Sequence, residues 1–483
     1  MRIPRQARVD YCPARESGGD LKTAQIIFRI FAEAGEEIYL VGGRVRDLLL
    51  GKETGDLDFA TSAMPEATAD IMRENGIRPI PIGMEFGTVS AVLHEGGRPV
   101  ELQVTTFRRH ETYAKGSRRP SVLFGGTLEE DLARRDFTVN AIAMDSGGRI
   151  MDPLGGLDDL RGRLIRTPLD PMVTLEEDPL RMLRAYRFAC SLGFALDPTL
   201  EEAVHKLHAE ILGISRERWK MEMDAIMSSE DAISTAGTLQ ALRLSGLLGD
   251  MIPELTGMFH MDRLPQGPAH RDDIWNHTLE VVSHTGKADL NLRWAALLHD
   301  LGKPAKRTVD EEGTPHFFGH EAEGASLAGE VCERFRFSRR DRNTVVFLVE
   351  NHMRPLMYQP EWGDGAVRRL QSEAGENLEL LLDLAAADAA AHAEPFSADG
   401  ARRLELLRQR LASLRYANGE RLLPRELGKR LLADAGDGGG AAVGIILRNL
   451  EEAVHRGELP AMAASQYYQA YLRTHPELRN PGN

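Results

Sequence analysis

Two carboxylates one residue apart offer the first indication of chemistry in this chain. Asp56 and Asp58 lie in GDLDFAT, residues 55–61, which otherwise has the composition of a β-strand. Side chains alternate across a strand, so both carboxylates would project from one face and repel each other without a cation. Hard oxygen ligands suit Mg²⁺, which makes a metal site one interpretation. A solvated strand end or turn is the other, because Gly55 precedes the pair and aspartate favours turns.

A glycine-rich turn precedes this acidic pair. Gly42 and Gly43 follow the strand-like IYLV and lead into a helix-like segment, within GGRVRD at residues 42–47. Such glycines let backbone N–H groups approach a phosphate, and Arg44 and Arg46 would supply positive charge. The alternative is a tight turn with exposed arginines. Beside a metal-binding acidic pair, the segment favours a joint site for a triphosphate and Mg²⁺.

The elements around these motifs predict an α+β chain. From residue 21 to about 145, strand-like segments (EEIYLVGG, GTVSAVLH, RPVELQVTTF) alternate with helix-like ones such as MPEATADIMRENG, which ends at Gly76. After DPLGGLDDLRG the pattern is helix after helix, with no convincing strand as far as Leu255. We therefore expect an α/β head followed by an all-helical neck or body.

Length, composition and cysteine usage limit the class of protein. At 483 residues the chain exceeds one hydrophobic core, and about 150 residues per domain suggests roughly three modules. A net charge of −14 argues against a general nucleic-acid coat, although clustered basic residues could still bind RNA. The three cysteines lack CxxC spacing, and no segment resembles a signal peptide or a membrane span. We expect a cytoplasmic protein without a membrane partner, whose oligomeric state the sequence does not determine.

Three segments together resemble one enzyme family. VGGRVRDLLLGKETGDLDFAT (41–61), LARRDFTVNAIAMD (132–145) and EEDPLRMLRAYRFA (176–189) are similar to the signature segments of the class II tRNA nucleotidyltransferases. The resemblance implies a nucleotidyltransferase-type catalytic head, in which two metal ions about 4 Å apart align a 3′-hydroxyl with the α-phosphate of a nucleotide. Asp56 and Asp58 would hold those ions. It further implies Mg²⁺ as the cofactor of the head, and tRNA, CTP and ATP as partners.

The same resemblance suggests further site residues in the head. Glu101, in the strand RPVELQV, is a candidate third catalytic carboxylate, although alternation equally allows it a solvent-facing role. Arg135 and Asp136 resemble the family segment that contacts the ribose, with a surface salt bridge as the alternative. Asn140 would reach the same region if the segment is helical.

The segment EEDPLRMLRAYRF has two interpretations. Asp178 before Pro179 is typical of a helix N-cap and requires no ligand. Arg181 lies one turn on, so Asp178 and Arg181 could face the same point as an acceptor and a donor. In class II enzymes the matching segment pairs with the Watson–Crick edge of CTP or ATP, which implies that role here, with Glu177 orienting the arginine. A basic stripe along the helix suits the triphosphate or solvent and consists of Arg184 and Arg187.

Two segments bear on which nucleotides are added. The loop at 108–133 has full family length, whereas enzymes restricted to CC addition lack it, so addition of the terminal A is expected, alone or after CC. Bacterial poly(A) polymerases carry a basic G-R-R-F-type segment where this chain has IGMEFGTVSAVLH, at 82–94. That difference favours a tRNA enzyme.

A histidine-rich region resembles an HD phosphohydrolase domain. LLHDLGK at 297–303 matches its core, and a histidine upstream with an aspartate downstream completes an H…HD…D pattern. Such a divalent-metal site could activate water for phosphoester hydrolysis, and HD modules of bacterial tRNA nucleotidyltransferases can be phosphatases or cyclic phosphodiesterases. The implied ligands of a metal of unknown identity are His277, His299, Asp300 and Asp388. His320 and His352 are second-tier candidates, as further ligands or as substrate contacts. Lys303 could neutralise a phosphate beside the metal.

The C-terminal region reverses the overall charge. Residues 402–430 are rich in arginines that can pair with phosphates, although a solvated amphipathic helix is the alternative. The following segment resembles the tail that grips the elbow of tRNA, but its GDGGGAA departs from the usual G-x-x-P-G-P type pattern. The candidate RNA-binding residues are Arg402, Arg403, Arg408, Arg410 and Arg415.

These patterns together predict five regions and one main function. The regions are a flexible arm at 1–20, the nucleotidyltransferase head at 21–160, a nucleotide-selecting, RNA-binding neck and body at 161–265, an HD domain at 266–400 and a helical tRNA-binding tail at 401–483. The expected function is template-independent addition or repair of the 3′-terminal CCA of tRNA. The alternatives are an A-adding enzyme, a poly(A) polymerase, and an HD phosphohydrolase with a degenerate RNA-binding head, against which the intact GGRVRD and GDLD argue.

Overall fold

The computed structural model divides into two compact units. The first comprises Met1–Ser229 and Gly237–Pro253, and the second comprises Glu230–Ala236 and Glu254–Asn483. The predicted arm at 1–20 lies outside the described residues except for Asp20. The structure describes residues 20–52, 57–80, 83–95, 98–113, 120–261, 266, 273–286, 289–417, 423–435, 440–455, 458–460, 463–475 and 478.

A mixed β-sheet organises the first unit. Its strands are β1 (Ile38–Val41), β2 (Leu57–Thr61), β3 (Thr88–Glu95), β4 (Arg98–Thr106), β7 (Ala143–Met144) and β8 (Ile150–Met151). Among the described residues they form a six-stranded sheet in the order β3-β4-β2-β1-β7-β8, in which only the β2–β4 pairing is parallel. The segment expected as a loop after β4 contains a separate hairpin of β5 (Arg108–Tyr113) and β6 (Pro120–Phe124).

Helices pack on both faces of this sheet. The helices of the head are α1 (Asp20–Glu33), α2 (Gly43–Leu49), α3 (Pro65–Glu74) and α4 (Leu128–Ala133). On β2, α1 packs against Phe59 and α4 packs against Ala60. Phe28 of α1 meets Phe59 of β2 edge-to-face, with ring centroids 5.3 Å apart. Leu57 and Phe59 are almost completely buried there. Because side chains alternate along β2, Asp58 projects from the opposite face.

The region that follows is mainly helical. It contains α5 (Gly156–Gly162), α6 (Pro171–Glu177), α7 (Leu180–Leu192), α8 (Pro198–Leu207), α9 (Arg216–Met227), α10 (Ala232–Leu244) and α11 (Leu247–Met251). The expectation that it has no strand is wrong, since β9 (Leu164–Ile165) and β10 (Ala195–Leu196) pair in parallel. Two-residue strands are too short to show the period-two alternation by which a strand is recognised.

The second unit is a helical assembly with one small hairpin. Its helices are α12 (Thr256–Phe259), α13 (Ile274–His284), α14 (Leu290–Leu298), α15 (Lys303–Lys306), α16 (His320–Arg334), α17 (Arg339–Asn351), α18 (Met353–Leu356), α19 (Asp364–Ala374), α20 (Leu378–Ala391), α21 (Phe396–Ala417), α22 (Arg425–Ala435), α23 (Gly440–His455) and α24 (Ser465–Thr474). The hairpin pairs β11 (Thr308–Val309) with β12 (Pro315–His316). Trp294 is fully buried between Phe335 and Phe337, which it meets edge-to-face.

The predicted α+β class is confirmed. A sheet-based head precedes a mostly helical remainder, as the change in sequence pattern indicates. In the part of the chain that the structure describes, every helix is too short or too polar to cross a lipid bilayer.

Candidate active site and HD centre

The strand register places Asp58 and Glu101 on the same face of the sheet. Asp58 of β2 is aligned with Gln103 of β4 in the parallel pairing, and residues two apart on a strand share a face. Asp58 is half-buried and Glu101 and Gln103 are exposed, so this part of the face is accessible to solvent, whereas Ala60 farther along β2 is buried against α4. Two accessible carboxylates on one face provide the hard oxygen ligands that Mg²⁺ prefers. The other predicted ligand, Asp56, lies outside the described residues.

The glycine turn connects β1 to α2 as predicted from its sequence. Gly42 has φ 72°, a left-handed conformation that favours glycine, and a Cβ there would lie 3.1 Å from Nη1 of Arg135. Gly43 begins α2. Arg44 and Arg46 are buried, at 7% and 8% exposure, so the alternative of a turn with exposed arginines is wrong.

Arg46 begins a buried polar network within the first unit. Its Nη1 donates to Oδ1 of Asn140 at 2.7 Å, and its Nε donates to Oδ1 of Asp47 at 2.8 Å. Asn140 ends a single 3₁₀ turn, which brings its Nδ2 to 3.0 Å from Oδ1 of Asp136. Arg184 then donates to Oδ2 of Asp136 through Nε at 3.0 Å and Nη2 at 2.6 Å. The network thus joins α2, the segment after α4, and α7.

Electrostatics keep both members of the Asp136–Arg184 pair charged. Burial by itself would raise the pKa of the Asp136 carboxyl, but Arg184 and the hydrogen bonds from Asn140 outweigh it and hold the pKa below its usual value. Burial would lower the pKa of Arg184, but Asp136 and Glu222 outweigh it and raise the pKa. The side chains keep 31% (Arg184) and 10% (Asp136) of their exposure, and such a charged, hydrogen-bonded pair holds the two segments in one geometry.

Glu222 of α9 extends this network and was missed from the sequence. Its Oε1 lies 3.4 Å from Nη1 of Arg184, and its Oε2 lies 2.5 Å from Nε of Arg187. Glu222 is 2% exposed. The predicted basic stripe of Arg184 and Arg187 is therefore neutralised by acidic partners. No local signal marks Glu222, because only the packing of α7 against α9 brings it to residues 38 and 35 positions earlier in the chain.

Asp178 is held at the junction of α6 and α7. Its Oδ1 accepts a hydrogen bond from the backbone N–H of Leu180 at 3.1 Å, at the start of α7. Its Oδ2 accepts one from Nη2 of Arg218 at 2.7 Å. Asp178 therefore caps the helix and also meets an arginine of α9 that the sequence did not indicate.

Arg181 is fixed by three acceptors. Its Nη1 donates to the carbonyl of Thr174 at 3.1 Å and to Oε2 of Glu177 at 3.2 Å. Its Nη2 donates to the carbonyl of Arg134 at 2.9 Å. Glu177 thus lies where it can orient the guanidinium. The contact with Arg134 also joins Arg181 to the segment that carries Asp136.

Arg135 forms an ion pair with α4, the helix that ends two residues before it. Its Nη2 lies 3.1 Å from Oδ2 of Asp131, and Nη2 of Arg134 lies 2.8 Å from Oδ1 of the same residue. Asp131 is completely buried. Burial alone would raise the pKa of its carboxyl, but Arg135 and Arg134 outweigh it and lower the pKa. Arg135 thereby lies beside Gly42 in a fixed position.

A second cluster of chemistry-bearing residues lies in the second unit. The four predicted HD ligands are 1–3% exposed and lie on α13, directly after α14, and on α20. Nε2 of His277 lies 3.1 Å from Oδ1 of Asp388, and Nε2 of His299 lies 3.1 Å from Oδ2 of Asp300. The structure therefore brings together residues that are as many as 111 positions apart in the sequence.

The second-tier histidines join the same cluster around Asp300. Oδ1 of Asp300 lies 3.6 Å from Nε2 of His320 and 3.9 Å from Nε2 of His352. Burial, and then the charge of His299, lower the pKa of His352 to about 4, so its ring is neutral near pH 7. Three Nδ1 atoms lie 2.6–2.9 Å from backbone carbonyls, an outer contact typical of metal-ligating histidines; the pairs are His299 with Ala296, His320 with Phe317, and His352 with Val349.

The donor atoms fit divalent metals in overlapping groups. Within each group, the candidate ligand atoms all lie within 4.8 Å of one another. The groups are His277, His299 and Asp300; Asp300, His320 and His352; and His277, Asp388 and His392. Neutral imidazoles with carboxylates are a common donor set for such ions. His392 was missed from the sequence, although its D-x-x-x-H spacing to Asp388 was a usable signal.

Lys303 and Gly302 shape this cluster from its edge. Nζ of Lys303 lies 2.7 Å from Oδ2 of Asp300 and donates to Oε1 of Gln266 at 2.8 Å. Lys303 is only 6% exposed, and it stabilises the buried Asp300. The sequence suggested a different role for Lys303, as a partner of phosphate. A Cβ on Gly302 would lie 2.1 Å from the carbonyl oxygen of His320. Glycine is therefore required for α16 to begin so close to the HD core.

The candidate RNA-binding arginines of α21 differ in their contacts. Arg408 lies 2.8 Å from Asp383 and 3.3 Å from Glu379, and Arg410 pairs with Asp364. Nη1 of Arg403 donates to the carbonyl of Leu356 at 3.3 Å, while Arg402 is exposed. The side chain of Arg415 lies outside the described residues.

Family comparisons agree with this arrangement of sites. Residues 38–166 match the Poly A polymerase head domain, and residues 274–392 match the HD domain. Residues 193–258 match the family described as a probable RNA and SrmB-binding site of polymerase A.

Similar proteins identify the family. The chain is 34% identical to the A-adding tRNA nucleotidyltransferase of Deinococcus radiodurans over 435 residues, which are 87% of this chain and 92% of that protein. It is 41% identical to the CCA-adding enzyme of Geobacillus stearothermophilus over 298 residues, 59% of this chain and 67% of that protein. The crystal structure of the Bacillus stearothermophilus CCA-adding enzyme in complex with CTP matches with a TM-score of 0.57 and 29% identity, covering 95% of this chain and 99% of that one. The chain therefore belongs to the class II tRNA nucleotidyltransferases, the family of the CCA-adding and A-adding enzymes, in a form that carries an HD domain.

Proposed function

We propose that this protein adds or repairs the 3′-terminal CCA of tRNA, using CTP and ATP without a template. The observation that carries the proposal is the β2–β4 register, which puts the half-buried Asp58 and the exposed Glu101 on one face of the sheet. In each step the tRNA 3′-oxygen attacks the α-phosphorus, the bond to pyrophosphate breaks, and the hydroxyl proton is lost. The cytoplasm, which contains all three substrates, is the proposed location.

The residues of the head and neck divide the work in this proposal. Mg²⁺ held by Asp56, Asp58 and Glu101 would favour the alkoxide nucleophile and offset the charge of the departing pyrophosphate. Asp178 and Arg181 present an acceptor and a donor set to the base. These two residues select the nucleotide because both are already oriented, Asp178 by Arg218 and Arg181 by its three acceptors.

The buried network has a positioning role in this proposal. Asp136 and Asn140 connect Arg46 at the glycine turn to Arg184 on the nucleotide-selecting helix. The network thereby fixes the distance between the part of the proposed site that binds the triphosphate and the part that binds the base.

The proposed functional divisions of the chain are the predicted regions at 21–160, 161–265, 266–400 and 401–483.

A second candidate is an enzyme that adds only the terminal A. One observation favours it: the similarity to the A-adding enzyme of Deinococcus radiodurans extends over 87% of this chain, whereas that to the CCA-adding enzyme of Geobacillus stearothermophilus extends over 59%. Both activities require the same catalytic carboxylates. They differ in whether CTP is accepted.

We propose a metal-dependent phosphohydrolase activity for the HD domain. His277, His299, Asp300 and Asp388 would hold a divalent ion that lowers the pKa of water. In this reaction water would attack phosphorus, the ester P–O bond would break, and the departing alcohol oxygen would take the proton that the water loses. Such an activity would remove phosphate from damaged RNA 3′ ends before nucleotide addition.

The proposed function is tested with three tRNA transcripts that end at the discriminator base, at C and at CC. Each is incubated with the pure protein, Mg²⁺, and CTP and ATP separately and together, and the 3′ ends are sequenced. Completion of CCA on all three supports the main proposal. Extension of the CC-ended transcript alone, by one A, replaces it with the A-adding function. Long A tails would identify a poly(A) polymerase and contradict both.

A further inference from the structure

Asp131 of α4 is completely buried and accepts hydrogen bonds from two different segments of the head. Its Oδ1 accepts from the backbone N–H of Arg108 at 3.3 Å, and from Nε and Nη2 of Arg134 at 3.1 and 2.8 Å. Its Oδ2 accepts from Nη2 of Arg135 at 3.1 Å. An aspartate is almost never fully buried without such partners. The two oxygens therefore have separate sets of donors.

The contacts of Oδ1 support the fold. Arg108 begins β5 and Arg134 is the C-cap of α4, so this oxygen holds the hairpin against the end of the helix. The start of α4 is secured separately, because Thr127 and Glu130 form a capping box there. Glu130 also pairs with Arg109 of the hairpin at 3.4 Å. The junction of α4 with the hairpin thus has other contacts besides those of Asp131.

The contact of Oδ2 holds an arginine that has a donor to spare. Nε of Arg135 is buried and, within the described part of the chain, has no hydrogen-bond partner. A buried donor without a partner is unfavourable, which points to an acceptor supplied by a ligand. The side chain of Arg135 keeps 20% of its exposure, and its Nη1 lies 3.1 Å from the position that a Cβ on Gly42 would take. The guanidinium is therefore held against the glycine turn with a donor still available.

A ribose hydroxyl is an acceptor that suits this donor. The glycine turn belongs to the proposed triphosphate side of the site, and the ribose of a nucleotide lies between its triphosphate and its base. The neighbouring Asp136 already accepts hydrogen bonds from Arg184 and Asn140. A site that hydrogen-bonds a substrate hydroxyl discriminates strongly against the analogue without it, because the protein donor is then left unpaired. The 2′-hydroxyl is the group that deoxyribonucleotides lack.

We infer that Asp131 is a positioning residue for ribose selection: its Oδ2 holds the guanidinium of Arg135 where that group donates to the 2′-hydroxyl of the incoming nucleotide. Asp131 itself does not touch the nucleotide. The inference rests on the proposed function and names a residue that sets its preference for ribonucleotides. It also gives the two oxygens separate roles, Oδ1 in the fold and Oδ2 in the site.

Asp131→Asn separates these two roles. The amide oxygen can take the place of Oδ1, where three N–H donors converge, and the amide NH₂ then faces Nη2 of Arg135, donor against donor. The variant thus keeps the contacts with Arg108 and Arg134 and displaces Arg135. Glu130→Gln is the matched control, because it changes a carboxylate of the same helix that pairs with Arg109 of the same hairpin.

Binding is measured first, by calorimetry on the full-length protein with ATP and with dATP in the presence of Mg²⁺. Wild type should bind ATP more tightly than dATP. Asp131→Asn should reduce that preference about tenfold, as expected when a hydrogen bond from a charged donor is lost, and Glu130→Gln should keep the wild-type ratio of Kd values. Equal ratios for wild type and Asp131→Asn, or a wild type without any preference, would overturn the inference.

Arg135→Ala tests the same contact from its other end and decides the question even if Asp131→Asn does not fold. It should lose at least as much of the preference for ATP, and a wild-type ratio in this variant would contradict the inference. Combining Asp131→Asn with Arg135→Ala should cause no further loss beyond that of Arg135→Ala alone. Losses that multiply in the double variant would mean that Asp131 acts independently of Arg135.

Nucleotide addition to a CC-ended tRNA distinguishes positioning from a general loosening of the fold. In Asp131→Asn the ratio of kcat/KM for ATP over dATP should fall, whereas the ratio for ATP over GTP, which we assign to Asp178 and Arg181, should keep its wild-type value. An equal fall in both ratios would contradict a role in ribose selection. Failure of wild type to add any nucleotide would remove the proposed function, while the Kd values for ATP and dATP would still decide the role of Asp131.

Discussion

Asp136 and Arg184 form a two-pronged ion pair, with Nε and Nη2 of the arginine 3.0 Å and 2.6 Å from one carboxylate oxygen. The two residues are 48 positions apart and lie in different segments of the family signature. Their contact joins the segment for which we propose ribose binding to the helix for which we propose base selection. The geometry of the proposed nucleotide site therefore depends on a contact between protein side chains.

Asp136→Asn should destabilise the first unit by about 2 kcal/mol at pH 7, because it removes the closer of the two carboxylates that pair with Arg184 and leaves only Glu222. Burial opposes ionisation of Asp136, but Arg184 lowers its folded pKa below the unfolded value near 4. The stabilisation is therefore complete above about pH 5 and is lost as the pH falls through the folded pKa. Thermal unfolding is measured for wild type and variant at pH 7 and near pH 3. The Tm of the variant should lie below that of wild type, and the difference should be smaller near pH 3 than at pH 7.

Asp158→Asn is the control for this experiment. Its side chain is 78% exposed, so it should shift the Tm little at either pH. A gap for Asp136→Asn that is the same at both pH values would show that the carboxylate charge does not stabilise the fold.

Glu101→Gln separates the two roles open to this residue. A third metal ligand contributes several kcal/mol to transition-state stabilisation, so nucleotide addition should fall on the order of a thousandfold with folding unchanged. Gln103→Ala, on the same exposed face, should reduce the rate only slightly. The measurement is single-turnover addition of A to a CC-ended tRNA. A loss under threefold for Glu101→Gln would assign it a solvent-facing role.

Arg181→Ala should reduce discrimination between correct and incorrect nucleotides roughly tenfold, since a bidentate contact to a base edge contributes about 1–3 kcal/mol. The measurement compares kcat/KM for ATP, CTP, GTP and UTP. The nucleotide discrimination of Arg181→Lys should lie between those of wild type and Arg181→Ala, because lysine keeps the positive charge but cannot make two parallel hydrogen bonds. Arg73→Ala, at an exposed arginine of α3, should leave all four values unchanged. An unaltered preference in Arg181→Ala would refute the templating role.

We expect the HD cluster to bind a second divalent ion, because Asp300 belongs to two donor groups, and His320→Ala should remove that ion. Elemental analysis after loading with Mn²⁺ and desalting gives the stoichiometry. His316→Ala is the matched control, since this exposed histidine pairs with Asp310 outside the cluster. Equal metal content in His320→Ala and His316→Ala would restrict the centre to the ligands implied by the HD pattern.

Arg402→Ala should weaken tRNA binding. It should also reduce the slope of log Kd against log salt concentration by about the contribution of one phosphate contact. Arg408→Ala should change both less, because its guanidinium is already engaged by Asp383 and Glu379. Filter binding across a salt series measures both quantities. Equal slopes for wild type and Arg402→Ala would mean that this face of α21 does not contact RNA.

Several properties follow from short-range patterns in this chain. Period-two alternation placed Asp58 on the face opposite Leu57 and Phe59, and the glycines after IYLV marked the start of α2. The joint occurrence of the signature segments predicted the family, which the comparisons confirm. These inferences succeed because each depends on neighbours within a few residues, where spacing alone sets the geometry.

Only the tertiary structure decided which side chains meet. Glu222 and Arg218 carry no distinctive motif, and only the packing of α9 against the segments before it brings them to Arg184 and Asp178. Burial of Arg44 and Arg46 and the engagement of Lys303 by Asp300 were likewise decided by surrounding elements. Residue type and spacing determine which groups are available for chemistry. Which residues tens of positions apart become neighbours depends on how the helices and strands pack together to bury their apolar faces. No local sequence pattern contains that information.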